Sequence, residues 1–260
     1  MRVRLFEFED LSWFPKFIRE GMTDFLRYFL TATNYYGPVV PMLNEALKHT
    51  QAKQIVDLCS GGGGPVQEIQ KGLSAQFGNN IPIVLTDIFP NIEAYTHIAS
   101  TSDGAITFCR EPVDATDMAE DLTGFRTLFS SFHHFKPEQA KKILRDAVDK
   151  RQGIAIFDGG NKGLLISLGI IIFQPILFLL FTPFFRPFRL SRLLFTYIIP
   201  VIPLCTIWDG VVSMMRLYRP KELMQLTKEI QADSYLWQAG RLRTGMGMHL
   251  TYLIGYERKQ

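Results

Sequence analysis

Between residues 53 and 158 short apolar runs alternate with helix-length segments in which polar residues dominate. The spacing predicts strands near 53–59, 81–86, 104–109, 125–131 and 152–158. The stretches between, 64–78, 90–102 and 137–150, predict helices, with Pro65, Pro90 and Pro137 close to first-turn positions, where a missing N–H costs little. Strand alternating with helix is the pattern of a mainly parallel sheet. Ahead of it, Phe14, Ile18, Gly21, Phe25 and Phe29 recur at helical spacing while Lys16, Arg19, Asp24 and Arg27 fall on other faces, which predicts an amphipathic helix. Behind it come a charged helix near 220–231 and two strands, 234–243 and 248–257, expected to pair antiparallel through the turn Thr244-Gly245-Met246-Gly247.

Residues 163–208 are different in kind. The 23 residues from Gly163 to Phe185 carry no charge, nor do Leu193 to Trp208, and between the two runs stand Arg186, Arg189 and Arg192. A helix of that first run would be about 34 Å long, enough to span a bilayer. Topology opposes a single crossing, because the strands on either side of the insertion belong to one sheet. A double crossing would put three arginines on the translocated side, against the positive-inside tendency. Pro175, Pro183, Pro200 and Pro203 are expected to break the apolar run into short helices. The arrangement expected is an in-plane membrane anchor or lid beside the site, its arginines on lipid phosphates and the N-terminal helix completing the cover. A membrane hairpin and a lid over a soluble core are the alternatives. The chain thus divides into an N-terminal helical cap (1–50), an α/β domain (51–162 and 209–260) and the apolar insertion (163–208).

Composition narrows the partners. A hydrophobic content of 47% fills a core, and a net charge of +3 without basic runs leaves no nucleic-acid footprint, so no nucleic-acid partner is expected. Cys59, Cys109 and Cys205 lack disulfide or zinc spacing, which fits a reducing, cytoplasmic compartment. The opening MRVRLFEFED has acidic residues interrupting any apolar stretch and is not expected to be a signal peptide. Membrane contact would then be peripheral, at the inner face.

The strongest local signal is Ile55-Val56-Asp57-Leu58-Cys59-Ser60-Gly61-Gly62-Gly63-Gly64-Pro65, a strand running into four glycines and a helix. Such a turn admits a ligand close to the backbone and aims helix N-terminal amides at a polar group. A dinucleotide fingerprint counted from Gly61 fails at Val66, and a P-loop fails because Pro65-Val66 follows Gly64. The segment resembles the first motif of class I S-adenosylmethionine-dependent methyltransferases, with Asp57 in the acidic place, Gly61 and Gly63 as the later glycines, and the small residue Cys59 in place of the first glycine. Asp87, which ends the second strand, would face the ribose hydroxyls; a helix N-cap is its ordinary alternative. Asp114, in Pro112-Val113-Asp114-Ala115-Thr116-Asp117, resembles the family's adenine-contacting carboxylate, with Ala115 beside it, and Ser131 completes the expected cofactor set.

The resemblance implies an α/β fold with a Rossmann-like sheet of seven strands in the order 3-2-1-4-5-7-6, the last antiparallel. It also implies S-adenosyl-L-methionine as cofactor, with methyl transfer to a hydrophobic or lipid-like acceptor, O-methylation favoured over C-methylation. After the fourth strand, Phe132-His133-His134-Phe135 offers a general base, one ring expected toward the acceptor and the other away, against the plainer reading of a histidine packed between Phe132 and Phe135. His49, His97 and His249 show no ligand spacing with the pair, so no metal is expected. Asp158 at the end of the fifth strand would orient the acceptor or take a proton, or simply precede a Gly-Gly turn. Asp209, Arg216 and Tyr218, polar in apolar surroundings, are expected to pair by hydrogen bonds. Two other classes fit less well: a non-enzymatic membrane adaptor on the same fold, and an enzyme using another nucleotide.

Overall fold

The computed structural model describes residues 5–160, 164–244 and 248–258. Seven strands, β1 (Ile55–Asp57), β2 (Ile83–Leu85), β3 (Ile106–Phe108), β4 (Phe125–Phe129), β5 (Ile154–Gly159), β6 (Tyr235–Arg243) and β7 (His249–Glu257), form one sheet. Their order is β3-β2-β1-β4-β5-β7-β6. The first five are parallel, and β7 runs antiparallel between β5 and β6. The topology expected from the resemblance is the one formed. Residues 245–247 of the turn expected between β6 and β7 lie outside the described residues.

The central strands are buried on both faces, so even Arg126 in β4 lies inside, its charge met by Asp146 at 2.6 Å and its Nε donating to Gln152 at 2.7 Å. Helices α2 (Val40–Thr50), α3 (Val66–Phe77) and α4 (Ile92–Ser100) cover one side of the sheet and α5 (Pro137–Asp149) and α9 (Pro220–Glu229) the other. The N-cap of α4 is Asn91, whose Oδ1 accepts from the Ala94 amide at 3.2 Å, so capping is not the task of Asp87.

Helix α1 (Lys16–Ala32) departs from the amphipathic reading. Phe14, Ile18, Met22 and Phe25 pack against the insertion, Phe25 stacking on Phe178 with centroids 4.0 Å apart. Arg19, Asp24 and Arg27, expected on exposed faces, are buried as well. The helix is sandwiched, with the apolar insertion on one flank and the strand-end loops of the sheet on the other.

The insertion is helical: α6 (Leu164–Phe181), α7 (Leu190–Leu193), a π-helical turn at Leu194–Ile198, and α8 (Val201–Arg216). Pro175 does not break α6, which continues through it; packing against α8 outweighs the roughly 3 kcal/mol of a helix-interior proline. Helix α8 runs across residue 208, where the insertion was expected to end. Arg186 is exposed, but Arg189 and Arg192 are not presented outward as expected. Arg192 is buried and ion-paired with Asp24, and Arg189 meets Glu20 at 2.6 Å and Glu93 at 2.8 Å. A buried carboxylate needs a counter-charge more than an exposed lipid phosphate does.

Candidate active site

A cavity of about 930 Å³ lies at the C-terminal ends of β1 to β4 and is roofed by α1 and the first turn of chain before it. The loop after β1 forms its floor. Gly61, Gly63 and Gly64 adopt φ of +55°, +96° and +42°, and Cys59 has φ +55°. The departure at Cys59 is therefore conformational more than one of size, since the left-handed region costs a side chain about 1–2 kcal/mol. Ser130, just past β4 on the neighbouring strand, is strained in the same way at φ +51° and also lines the cavity. Gly62 has a further duty: a Cβ there would stand 2.6 Å from the Thr23 carbonyl oxygen, so α1 rests directly on the glycine loop.

The expected residues separate into those that reach the cavity and those beneath it. Cys59, Gly61, Asp87, Asp114, Ala115, Ser131 and His134 line it. Asp87 accepts the Gly61 amide at 2.8 Å through Oδ2 and the Phe89 amide at 2.8 Å through Oδ1, and burial pushes its carboxyl up. Asp114 uses Oδ1 to hold the Thr116 amide and hydroxyl, both at 2.8 Å. Ser131 Oγ is buried with no hydrogen-bond partner among the described residues, so a polar ligand atom would satisfy it. Asp57 sits under the loop, accepting from Ser60 Oγ at 2.6 Å and Thr127 Oγ at 2.7 Å, and burial raises its carboxyl to about 7. Gly63 likewise faces protein: a Cβ there would meet Ile98 at 2.1 Å.

The histidine pair is rearranged relative to expectation. Phe132–His134 forms a short 3-10 turn, not an extended segment, so both rings lie on one side with centroids 4.4 Å apart. His133 and Asp158 do not line the cavity. They are buried together, Nδ1 of His133 3.3 Å from Asp158 Oδ1, which also accepts the Phe132 amide at 3.3 Å. Asp158 thus positions the turn. His134 does line the cavity, and its Nδ1 is 2.7 Å from Asp10 and 3.0 Å from Glu7. Burial opposes its charge, but the two carboxylates hold its pKa well above the usual histidine range. His134 is thus engaged by two carboxylates at the ring nitrogen nearest them, an arrangement that favours its charged form.

The residues that sequence reasoning missed come from the first ten residues. Asp209 in α8 accepts the amides of Phe8 at 2.8 Å and Glu9 at 3.0 Å, Arg216 meets Glu7 at 2.9 Å and Asp10 at 2.7 Å, and Tyr218 donates to the Phe135 carbonyl at 2.9 Å. The pairing expected of Asp209, Arg216 and Tyr218 is present, and through Asp209 and Arg216 it straps residues 7–10 across the rim. This brings Glu9 to the cavity, where burial, then the nearby Asp209 charge, raises its carboxyl to about 8. Glu7 is also brought within ligand distance of both histidines, a grouping of metal-ligand types invisible to a search for spacing among histidines alone. Arg216 already neutralises it.

No family model matches the sequence, and no curated protein matches it either. Solved structures do. The methyltransferase domain of bacterial CtHen1 is similar over 86% of this chain and 99% of its own length, at 10% identity and a TM-score of 0.50. An O-methyltransferase family protein from Burkholderia thailandensis matches over 85% of this chain at 14% identity and a TM-score of 0.48. An O-methyltransferase from neocarzinostatin biosynthesis, solved with S-adenosylmethionine and 2-hydroxy-5-methyl naphthoic acid, matches over 85% at 10% identity and a TM-score of 0.47. This chain spans only 56% and 57% of the length of those last two proteins. The chain has the fold of class I S-adenosylmethionine-dependent methyltransferases.

Proposed function

We propose that this protein is an S-adenosylmethionine-dependent methyltransferase acting on a hydrophobic acceptor. The observation that carries the reading is the convergence of three strand-end elements on one cavity: the glycine loop after β1, Asp87 after β2 and Asp114 after β3. Gly61, Asp87, Asp114 and Ser131 are the residues that would hold the cofactor, and the unpartnered Ser131 hydroxyl fits a polar ligand. S-adenosylmethionine, when bound, supplies a methyl group already activated on a sulfonium. The chain's part is to orient the acceptor and exclude water. Helix α1 and the strap at residues 7–10 close the cavity from above. Glu9, which lines the cavity, is the group we assign to take a proton from an acceptor hydroxyl; with its carboxyl raised to about 8, the base form grows as pH rises above neutral. Phe14, Leu26, Leu30 and Phe129 supply apolar wall for the acceptor. The reaction we favour is O-methylation, in which Glu9 takes the proton that the acceptor hydroxyl loses.

Calorimetric titration with S-adenosylmethionine and its demethylated product tests the reading. Binding of both supports it. Binding of neither leaves a non-enzymatic protein on the same fold, and preference for another nucleotide leaves a different enzyme.

A further inference from the structure

We propose that α6, the α7 region and the N-terminal half of α8 form a monotopic face embedded in one leaflet of a lipid bilayer, without crossing it. Among the described residues, seventeen large apolar side chains between Leu165 and Trp208 are exposed. Leu165–Phe184 has mean hydropathy 2.4, yet only 11% of it is buried inside the protein, the reverse of a soluble core helix. The exposure takes in more than half of the helix circumference, the remainder packing on α8 and α1. Ile171, Ile172 and Phe173 are consecutive and exposed at 48%, 55% and 62%, and three consecutive residues sweep about 200° of helix circumference. A single partner element covers a narrower stripe than this arc, whereas hydrocarbon covers the whole of it. Charge points the same way. Residues 164–208 contain no Asp or Glu, while the exposed cation Arg186 and the exposed rings of Trp13, Tyr197 and Trp208 belong to the interfacial types.

A spanning hairpin would carry the loop between α6 and α7 to the far side of the bilayer. That loop is tied to the body of the protein. Arg192 is ion-paired with buried Asp24, Arg189 with Glu20 in α1 and Glu93 in α4, and the Arg186 carbonyl accepts from Arg27. Phe178 and Phe185 pack on Phe25. Both ends of α6 therefore stay with the sheet, and the helix, about 27 Å long, lies along the protein. Helix α1 alone stands between this face and the cavity, lining the cavity with Thr23 and Leu26 and meeting the insertion with Gly21 and Phe25. If the proposed methyl transfer holds, its acceptor would come from the same leaflet.

The test uses the full chain and sealed vesicles of phosphatidylglycerol and phosphatidylethanolamine. The wild-type chain is expected to float with them, and Ile172→Glu/Phe173→Glu/Leu180→Glu to lose at least about a hundredfold in vesicle affinity. Calorimetry with S-adenosylmethionine on the same samples separates a lost surface from a lost fold, and from a wrong reading of the cavity. If the triple variant does not fold, Ile172→Gln/Phe173→Gln takes its place. An Arg186→Cys variant, bound to vesicles from outside and treated with a membrane-impermeant maleimide, is expected to be labelled before detergent is added, as read by peptide mass. Absence of wild-type flotation, unchanged affinity in the variant, or labelling of position 186 only after detergent would each overturn the proposal.

Discussion

The carboxylate of Asp87 accepts the Gly61 amide at 2.8 Å, so the end of β2 holds the glycine loop that follows β1. Under the proposed function a ligand on that loop would depend on Asp87 twice, for the shape of the loop and for its own hydrogen bonds. Asp87→Ala is expected to bind S-adenosylmethionine tenfold or more weakly, since hydrogen bonds to a charged group are worth about 1.5–3 kcal/mol. Titration of a folded variant with undiminished affinity would remove Asp87 from the site.

Cys59 occupies a glycine conformation at φ +55°. Cys59→Gly should relieve the left-handed strain at some cost in unfolded-state entropy, for a net gain of about 0.5–1 kcal/mol. Urea unfolding measures it. A loss of stability would mean that the thiol's packing outweighs the strain.

Glu9 is expected to be the proton acceptor. Glu9→Gln should lower kcat by about a hundredfold or more with cofactor affinity unchanged, and abolish the limb of the rate profile near pH 8. The same variant has a stability signature. A carboxyl raised in the folded state binds more protons there, so its contribution weakens as pH rises from about 4.5 to about 8, and the variant should flatten that decline. An unaltered rate profile would leave positioning alone as the catalytic device.

The strap over the rim is held by opposite shifts in His134 and Glu7. Burial disfavours the charge on each, but the carboxylates around His134 raise its pKa well above normal, so its contribution is full below about pH 6.5 and lost as pH rises through the raised value. Glu7 is lowered to about 2, chiefly by His134 acting against burial, so its contribution is full above about pH 4.5 and lost as pH falls through 2. His134→Ala should remove the alkaline loss and speed proteolysis near residues 5–12. Unchanged cleavage kinetics would show that Asp209 and Arg216 hold the strap without it.

Asp24 is fully buried among arginines contributed by α1 and the insertion. Asp24→Ala strands Arg192 and Arg27 without their carboxylate and should destabilise the fold by about 3–5 kcal/mol in denaturant titration. A change below 1 kcal/mol would show that these guanidinium groups find water or other acceptors.

The sequence by itself determined the strands and helices of the α/β domain, because the period of apolar residues records which local face is buried. It also located the glycine loop and Asp87, each of which sits where a strand ends and a turn begins, while Asp114, further along the loop after β3, was placed by the resemblance. The sequence order of the sheet came from the resemblance, and the helix over 16–32 was read with the wrong faces outward. Periodicity reports that Arg19, Asp24 and Arg27 are polar, but not that a charge 168 residues away neutralises Asp24 inside the protein. The same limit hid Glu9. Its place at the cavity depends on amides at residues 8 and 9 meeting Asp209, about 200 positions along the chain. The extended segment expected at Phe132-His133-His134 became a tight turn because Asp158 accepts the Phe132 amide. Which titratable groups reach the cavity, and on which side of the protein Arg189 and Arg192 lie, were decided only when tertiary packing chose the partner of each buried charge.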